Sequence, residues 1–244
     1  MPSLPHRRVN LWSGPRNVST ALMYAFAQRT DTRVVDEPLY GHYLRVSGAQ
    51  HPGGDEVLAA MDTDGERVVR SVLLGPSDRP VLFVKNMAHH LVDLDWGFLD
   101  RITHVFLIRD PREMLPSLIH QIPEPTLDHT ALKRQVEILE YLEAHGHEAP
   151  VLEARELLLN PRSVLTRLCG DLGLAFEDDM LHWEAGPRPE DGVWAPYWYH
   201  NVHQSTGFSP YRSKITPFPD RLRPLLEACE PYYEKLFRRA IKAS

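Results

Sequence analysis

Strand-like runs at Arg8–Trp12, Arg33–Asp36, Val81–Lys85, Thr103–Ile108 and Pro150–Ala154 alternate with stretches of helical periodicity. This alternation implies a parallel sheet covered on both sides. The expected fold class is α/β, with three layers and a central parallel sheet of about five strands flanked by helices. The spacing predicts a long amphipathic helix over residues 128–146, with Leu132, Val136, Leu139 and Leu142 on one face. Two more helices are predicted over Pro161–Leu172 and Asp220–Ala240, the latter filling a C-terminal helical region of about 219–242. With 244 residues, 43% of them hydrophobic, one domain spanning 1–244 with a substantial core is the natural expectation. Residues 184–218 break the pattern. Gly, Pro, Trp, Tyr and His dominate there, and so long an aperiodic stretch is usually functional.

The first strand candidate runs into Ser13-Gly14-Pro15-Arg16, and Asn17-Val18-Ser19-Thr20 then opens a helical pattern with Leu22, Ala25 and Phe26 on one face. A strand, a tight loop and a helix N-terminus form a site for an anion, because the first N–H groups of a helix are free and its dipole is positive there. Arg16 adds a full charge, and Ser19 and Thr20 add hydroxyls. A Walker A loop is excluded. That motif ends in Gly-Lys-[Ser/Thr], where this chain has Val18-Ser19-Thr20. The alternative is that Ser19 and Thr20 only cap the helix.

A second strand-to-helix switch follows at residues 103–120. Val105–Ile108 read as a buried strand, with Arg109 at its carboxyl end. Asp110 reads as an N-cap, Pro111 as the first helical residue and Glu113 as the partner in a capping box. Ser117 falls eight residues after Arg109, about two helical turns on. Pro116, inside this helix, should bend or shorten it. Two anion-competent turns in one chain suggest a ligand with two phosphate-like groups, although an Arg leaving a strand can also simply pair with a local acid.

The pair of turns resembles the two cofactor-binding motifs of the sulfotransferase family, which uses 3′-phosphoadenosine 5′-phosphosulfate on a P-loop-type fold. Pro15-Arg16-Asn17-Val18-Ser19-Thr20 is similar to the family's Pro-[Lys/Arg]-Ser-Gly-[Ser/Thr]-Thr. The resemblance implies that this loop, Gly14 to Thr20, holds the 5′-phosphosulfate through Arg16, Ser19 and Thr20. Arg109-Asp110-Pro111 with Ser117 and His120 matches the second motif, which implies that Arg109 and Ser117 hold the 3′-phosphate. Leu152-Glu153-Ala154-Arg155-Glu156-Leu157, with Asn160-Pro161 and Leu172-Gly173, resembles a further family segment. Where the family usually has Ser and Gly, this chain has Asn17 and Val18. A β-branched residue resists positive φ, so either the loop takes another path here or Val18 already belongs to the helix.

Glu37 follows the second strand candidate, and strand carboxyl ends converge on the ligand crevice of a parallel sheet. Such a carboxylate can accept a proton from a hydroxyl or amine, or can cap the next turn together with Asp36. A Glu-Pro pair in several sulfotransferase branches implies Glu37 as the base. Other branches place Lys-x-His after the third strand. Here Lys85 is followed by Asn86 and Met87, with His89 and His90 slightly out of register as competing bases. Lys85 would stabilise charge on the sulfuryl oxygens or form a surface ion pair. The His pair could also join His200 or His203 on zinc, but no cysteines or carboxylates are grouped with them, so no metal is expected. Related proteins cover the nucleotide with a late loop. The aromatic segment Trp194–Phe208, within the stretch of about 184–218, is the candidate lid, and the resemblance implies that role for its Ser205, Thr206 and Gly207, with Arg212 or Lys214 nearby. The alternative is an aromatic cluster, Trp194–Phe208, packing the C-terminal helix on the sheet.

A net charge of −6 argues against a general nucleic-acid binder. No apolar run approaches the ~20 residues of a membrane span, and the N-terminal residues lack a signal-peptide core. Two cysteines point to a reducing, cytoplasmic compartment. The expectation is therefore a cytoplasmic enzyme that moves a sulfuryl group to a hydroxyl or amine of a small molecule. The rivals are a P-loop nucleotide-dependent kinase or phosphotransferase, and a non-catalytic domain of the same fold that binds a nucleotide or a partner.

Overall fold

A computed structural model describes residues 7–213 and 217–243. Its five strands are β1 (Arg7–Ser13), β2 (Thr32–Asp36), β3 (Val81–Met87), β4 (Thr103–Ile108) and β5 (Val151–Glu153). They form one parallel sheet in the order β2-β3-β1-β4-β5. Each of the five predicted runs became a strand. The inner strands β3 and β4 read as near-continuous apolar stretches because both faces are covered, whereas the edge strand β2 alternates in exposure. Val9, Leu11, Phe83, Val105, Leu107 and Leu152 pack on one side against the helices Ser19–Ala27 and Pro161–Asp171. Trp12, Leu82, Val84, Phe106, Ile108 and Val151 pack on the other against Leu132–Ala144 and the C-terminal helix Arg223–Phe237.

From β1 the chain crosses to β2 on one side of the sheet, and from β3 it crosses back over β1 to β4. The centre of the sheet is therefore a topological switch point, and a crevice opens outside the carboxyl ends of its strands. Gln135 ties these ends together, donating to the carbonyls of Trp12 (2.8 Å) and Leu107 (3.1 Å).

The helix predicted over 128–146 is in fact two, Leu127–Thr130 and Leu132–Ala144. Ala131 between them is left-handed, with φ of 63°. The break brings the Thr130 carbonyl beneath Gly14, where a Cβ would meet that oxygen at 2.6 Å. Close approach, not positive φ, is why Gly14 is a glycine. The C-terminal helix is also shorter than predicted. A single turn at Asp220–Leu222 precedes Arg223–Phe237. The helix Pro111–Leu118 ends two residues after Pro116, as expected. Asp110 caps it, accepting from Arg112 N at 2.7 Å. The predicted capping box does not form, because the Glu113 carboxylate turns instead to Arg109 and to the Tyr211 hydroxyl. Among the described residues no helix is long and apolar enough to cross a membrane.

Candidate functional site

A cavity of about 330 Å3 lies outside the carboxyl ends of β1, β2, β3 and β4 and is lined by the loop after β1, by Glu37, Lys85 and Arg109, and by an aromatic stretch near residue 200. Its two ends differ in chemistry.

The first end is cationic. Left-handed geometry in the loop falls on Arg16, with φ of 53°. Val18 has φ of −94° and ψ of 23° and immediately precedes the helix Ser19–Ala27. The loop thus takes another path from one that needs a glycine at position 18, and a β-branched residue fits there without strain. Asn17 fastens the path, donating from its amide to the Leu107 carbonyl (3.0 Å) and accepting from Val18 N (2.8 Å). Ser19 and Thr20 make no side-chain cap. They sit in the first helical turn, and both line the cavity. Arg16 Nε donates to Ser117 Oγ at 2.9 Å, and Arg109 donates to the Arg16 carbonyl at 2.8 Å. The two anion-competent turns therefore meet. Burial, and then the charge of Arg109, push the Arg16 pKa down. Two guanidinium groups beside a free helix N-terminus carry positive potential that only Glu113, 3.4 Å from Arg109, partly offsets among the described residues. An anion with two charged groups would satisfy it.

The second end is built on a buried ion network. Lys85 is fully buried and lies beside Asp36 in the β2–β3 register. Its Nζ donates to Asp36 Oδ1 (2.8 Å), Glu37 Oε1 (2.7 Å) and the Tyr199 hydroxyl (2.5 Å). An ammonium group has three N–H donors, and all three are spent. Glu37 is held by its own backbone, which donates to the Lys85 carbonyl at 2.7 Å and takes a left-handed φ of 37°. Its other oxygen, Oε2, lies 3.8 Å from His90 Nδ1. Burial pushes the Glu37 pKa up, and the Lys85 charge opposes this. Burial works to lower the Lys85 pKa, but the two carboxylates outweigh it and keep the ammonium charged.

Around this network stand aromatic rings and imidazoles. His90 stacks between Tyr40 (4.8 Å) and Tyr43 (4.7 Å), and Trp194 meets the edge of Tyr40 at 5.2 Å. Burial keeps the histidines neutral: the His89 pKa falls to about 3, that of His90 falls well below its ordinary value, and that of His51 falls too. Four buried ring nitrogens on residues lining the cavity have no hydrogen-bond partner among the described residues: His51 Nε2, His89 Nδ1, His90 Nδ1 and Trp198 Nε1.

Of the residues singled out in the sequence, Pro15 to Thr20, Glu37, Lys85, His89, His90, Arg109, Ser117, Ser205 and Gly207 line this one cavity. Gly14 lies behind the loop. Thr206 is outside the lining, and its carbonyl accepts from Trp183 N at 3.2 Å. Ser205 reaches the cavity with its hydroxyl already committed to Trp183 Nε1 (3.1 Å) and the Val202 carbonyl (2.7 Å). Arg212 and His120 do not line it, and Lys214 lies outside the described residues. His200 is exposed and His203 pairs with Asp191 at 2.9 Å; among the described residues no group of three potential ligands could hold a metal. The aromatic stretch packs on Tyr40, Tyr43 and Leu44 rather than on the C-terminal helix. Sequence reasoning missed Asp36 as a site residue, together with Tyr40, His51, Trp194, Trp198 and Tyr199. For Trp194, Trp198 and Tyr199 the available signal was the density of aromatic residues in 184–218; Asp36, Tyr40 and His51 lie outside that stretch and carried none.

The model of the sulfotransferase domain family matches residues 7–240, and the chain belongs to that family. It is 42% and 41% identical over 229 residues to two Arabidopsis thaliana proteins named branched-chain-amino-acid aminotransferase-like protein 1 and 2. The match covers 93% of this chain but only 41% of each relative, so the chain spans about two fifths of their length. Among solved structures, the sulfotransferase domain of the curacin biosynthetic pathway is similar over 93% of this chain and 98% of its own, with a TM-score of 0.52 and 16% identity. The sulfotransferase domain of the Synechococcus PCC 7002 olefin synthase covers 92% and 94%, with a TM-score of 0.53 and 16% identity. A sulfotransferase from Alicyclobacillus acidocaldarius covers 97% of both chains, with a TM-score of 0.52 and 12% identity. The fold is thus of the P-loop type these domains share.

Proposed function

We propose that this member of the sulfotransferase family transfers a sulfuryl group from 3′-phosphoadenosine 5′-phosphosulfate to a hydroxyl or amine of a small acceptor. The observation that carries this reading is one cavity with two guanidinium groups and Ser117 at one end and a buried carboxylate, Glu37, at the other. The loop N–H groups, Arg16, Ser19 and Thr20 would hold the phosphosulfate, and Arg109 with Ser117 the 3′-phosphate. In the transfer, the bond between sulfur and the phosphate oxygen breaks as the acceptor's oxygen or nitrogen bonds to sulfur. Charge then builds on the leaving phosphate, where Arg16 and the helix N-terminus stabilise it. The acceptor's proton passes to Glu37, whose elevated pKa makes it a stronger base than an exposed carboxylate. With its hydrogens spent on Asp36, Glu37 and Tyr199, Lys85 acts through Glu37 rather than on the sulfuryl oxygens.

The acceptor end supports an uncharged acceptor. Among the described residues it has no uncommitted cation to meet an anionic group, and its unpartnered ring nitrogens offer hydrogen bonds from neutral rings. Free, buried Cys169 and Cys229 suit a reducing compartment such as the cytoplasm.

The experiment is transfer of radiolabelled sulfur from the donor to a panel of uncharged alcohols, phenols and amines. Labelled product that disappears in Arg16→Ala and Glu37→Gln supports the reading. A panel left unlabelled, or labelling indifferent to both changes, contradicts it.

A further inference from the structure

The Glu37 carboxylate is held by one ammonium group, and that group is held in turn by residues far away in sequence. Tyr199 is buried at the end of the short helix Ala195–Trp198. Its hydroxyl accepts from Lys85 Nζ (2.5 Å) and Trp194 Nε1 (3.0 Å) and donates to Asp36 Oδ2 (2.7 Å). Asp36 Oδ1 accepts from Lys85 at 2.8 Å, and Oδ2 also faces Gly192 N at 3.4 Å. Each hydrogen on Nζ and on the Tyr199 hydroxyl thus has a defined acceptor, and the ammonium is held at three points. Fixing Nζ fixes Glu37 Oε1, 2.7 Å away, and leaves Oε2 as the oxygen free of the lysine. The same aromatic stretch sends Ser205, Gly207 and Phe208 to the cavity lining.

We infer that Tyr199, together with Asp36, is a positioning residue: it anchors Lys85 so that Glu37 presents Oε2 to the acceptor, which makes the aromatic stretch around residue 200 part of the base. The inference rests on the reading of Glu37 as base. The groups facing Glu37 are Asp36 from β2, Tyr40 from the helix Tyr40–Ser47 that follows β2, Lys85 from β3, His90 after β3 and Tyr199 from the aromatic stretch. Their effects have opposite signs. Lys85 lowers the Glu37 pKa and the Asp36 charge raises it, while Tyr199, whose one hydrogen goes to Asp36, acts on Glu37 through the lysine it helps hold.

The test is a titration of the Glu37 carboxyl carbon by NMR in the full chain labelled at glutamate, with the resonance assigned through Glu37→Gln. Tyr199→Phe should move the Glu37 midpoint up and Asp36→Asn should move it down, each by roughly half a pH unit or more. A general loosening of the fold would move both the same way. Trp194→Phe, which keeps the Tyr199 hydroxyl, should give the smallest shift and stands in if Tyr199→Phe does not fold; its midpoint should still rise. Midpoints that stay put, or that shift together, overturn the inference. Binding of adenosine 3′,5′-bisphosphate is measured on the same samples. Loss of that binding with the opposite shifts intact would remove the donor reading and keep the positioning network; intact binding with no shifts would do the reverse.

Discussion

At one end of the cavity Arg16 and Arg109 stand together with only Glu113, among the described residues, near enough to offset them, whereas at the other Lys85 is shared by Asp36 and Glu37 with no hydrogen left over. The first end is assembled from two neighbouring strand-to-helix turns and carries charge that a ligand must answer. The second is assembled from β2, β3 and the aromatic stretch and is balanced within the protein. The contrast amounts to a division of labour. A cationic end that lacks its counter-charge binds, and an end whose carboxylate is buried and oriented takes a proton. Each end can be altered with little consequence at the other.

The largest effect is expected at the balanced end. Glu37→Gln should lower kcat by roughly 10²–10⁴ while leaving adenosine 3′,5′-bisphosphate affinity nearly unchanged. His89→Ala and His90→Ala should cost much less. Normal turnover in Glu37→Gln with a dead histidine variant would assign the proton to an imidazole.

At the cationic end, Arg109→Ala should weaken adenosine 3′,5′-bisphosphate by about 2 kcal/mol, roughly thirtyfold, and AMP far less. Arg16→Ala should weaken both. Equal losses for the two nucleotides in Arg109→Ala would place the 3′-phosphate elsewhere.

These ends were not equally legible in the sequence. The cationic end is local: a loop, a capped helix start and an Arg-Asp-Pro turn each show in a few consecutive residues, and a single register between β1 and β4 brings them together. Even there the left-handed residue proved to be Arg16, because φ depends on the loop's ties to Leu107 and not on which residue occupies the position of a familiar glycine. In the balanced end Glu37 and Lys85 were visible as strand ends. The role of Asp36, itself a predicted strand end, and that of Tyr199 were not visible, because the contact that gives them a role joins residues 163 positions apart. Nothing periodic marks such a contact. The break at Ala131 was hidden for a related reason, since the closeness of Thr130 to Gly14 outweighs a continuous helical pattern.

The two ends should also answer differently to acid. The Arg16 guanidinium stays charged, as arginine does at any ordinary pH, but burial holds the His89 pKa near about 3, and burial holds that of His104, in β4, near about 4. An unfolded chain binds protons at these histidines near the ordinary 6.5, so the native state holds fewer protons below that pH. Stability is lost as pH falls from about 6.5 towards 4. Glu153, pushed up to about 6 by burial, works in the opposite sense between about 6 and 4.5. The urea midpoint should be lower at pH 5 than at pH 7, and His89→Asn and His104→Asn should each flatten the fall. An unaltered slope in both would show that these imidazoles are charged in the folded chain.

The smallest effect is expected from Val18→Gly. Position 18 has negative φ, so a glycine gains nothing in geometry and adds freedom to the unfolded chain. It should cost under about 1 kcal/mol in stability and change nucleotide affinity less than twofold. A marked gain in affinity would mean that the bound loop adopts a different path.

The division between a binding end and a proton-accepting end is tested most directly by calorimetric titration of the full chain with adenosine 3′,5′-bisphosphate, AMP and ATP, with and without magnesium. The account predicts that the bisphosphate binds most tightly, that AMP follows because it lacks the 3′-phosphate, and that magnesium changes neither. Tightest binding by ATP, and only with magnesium, would contradict it.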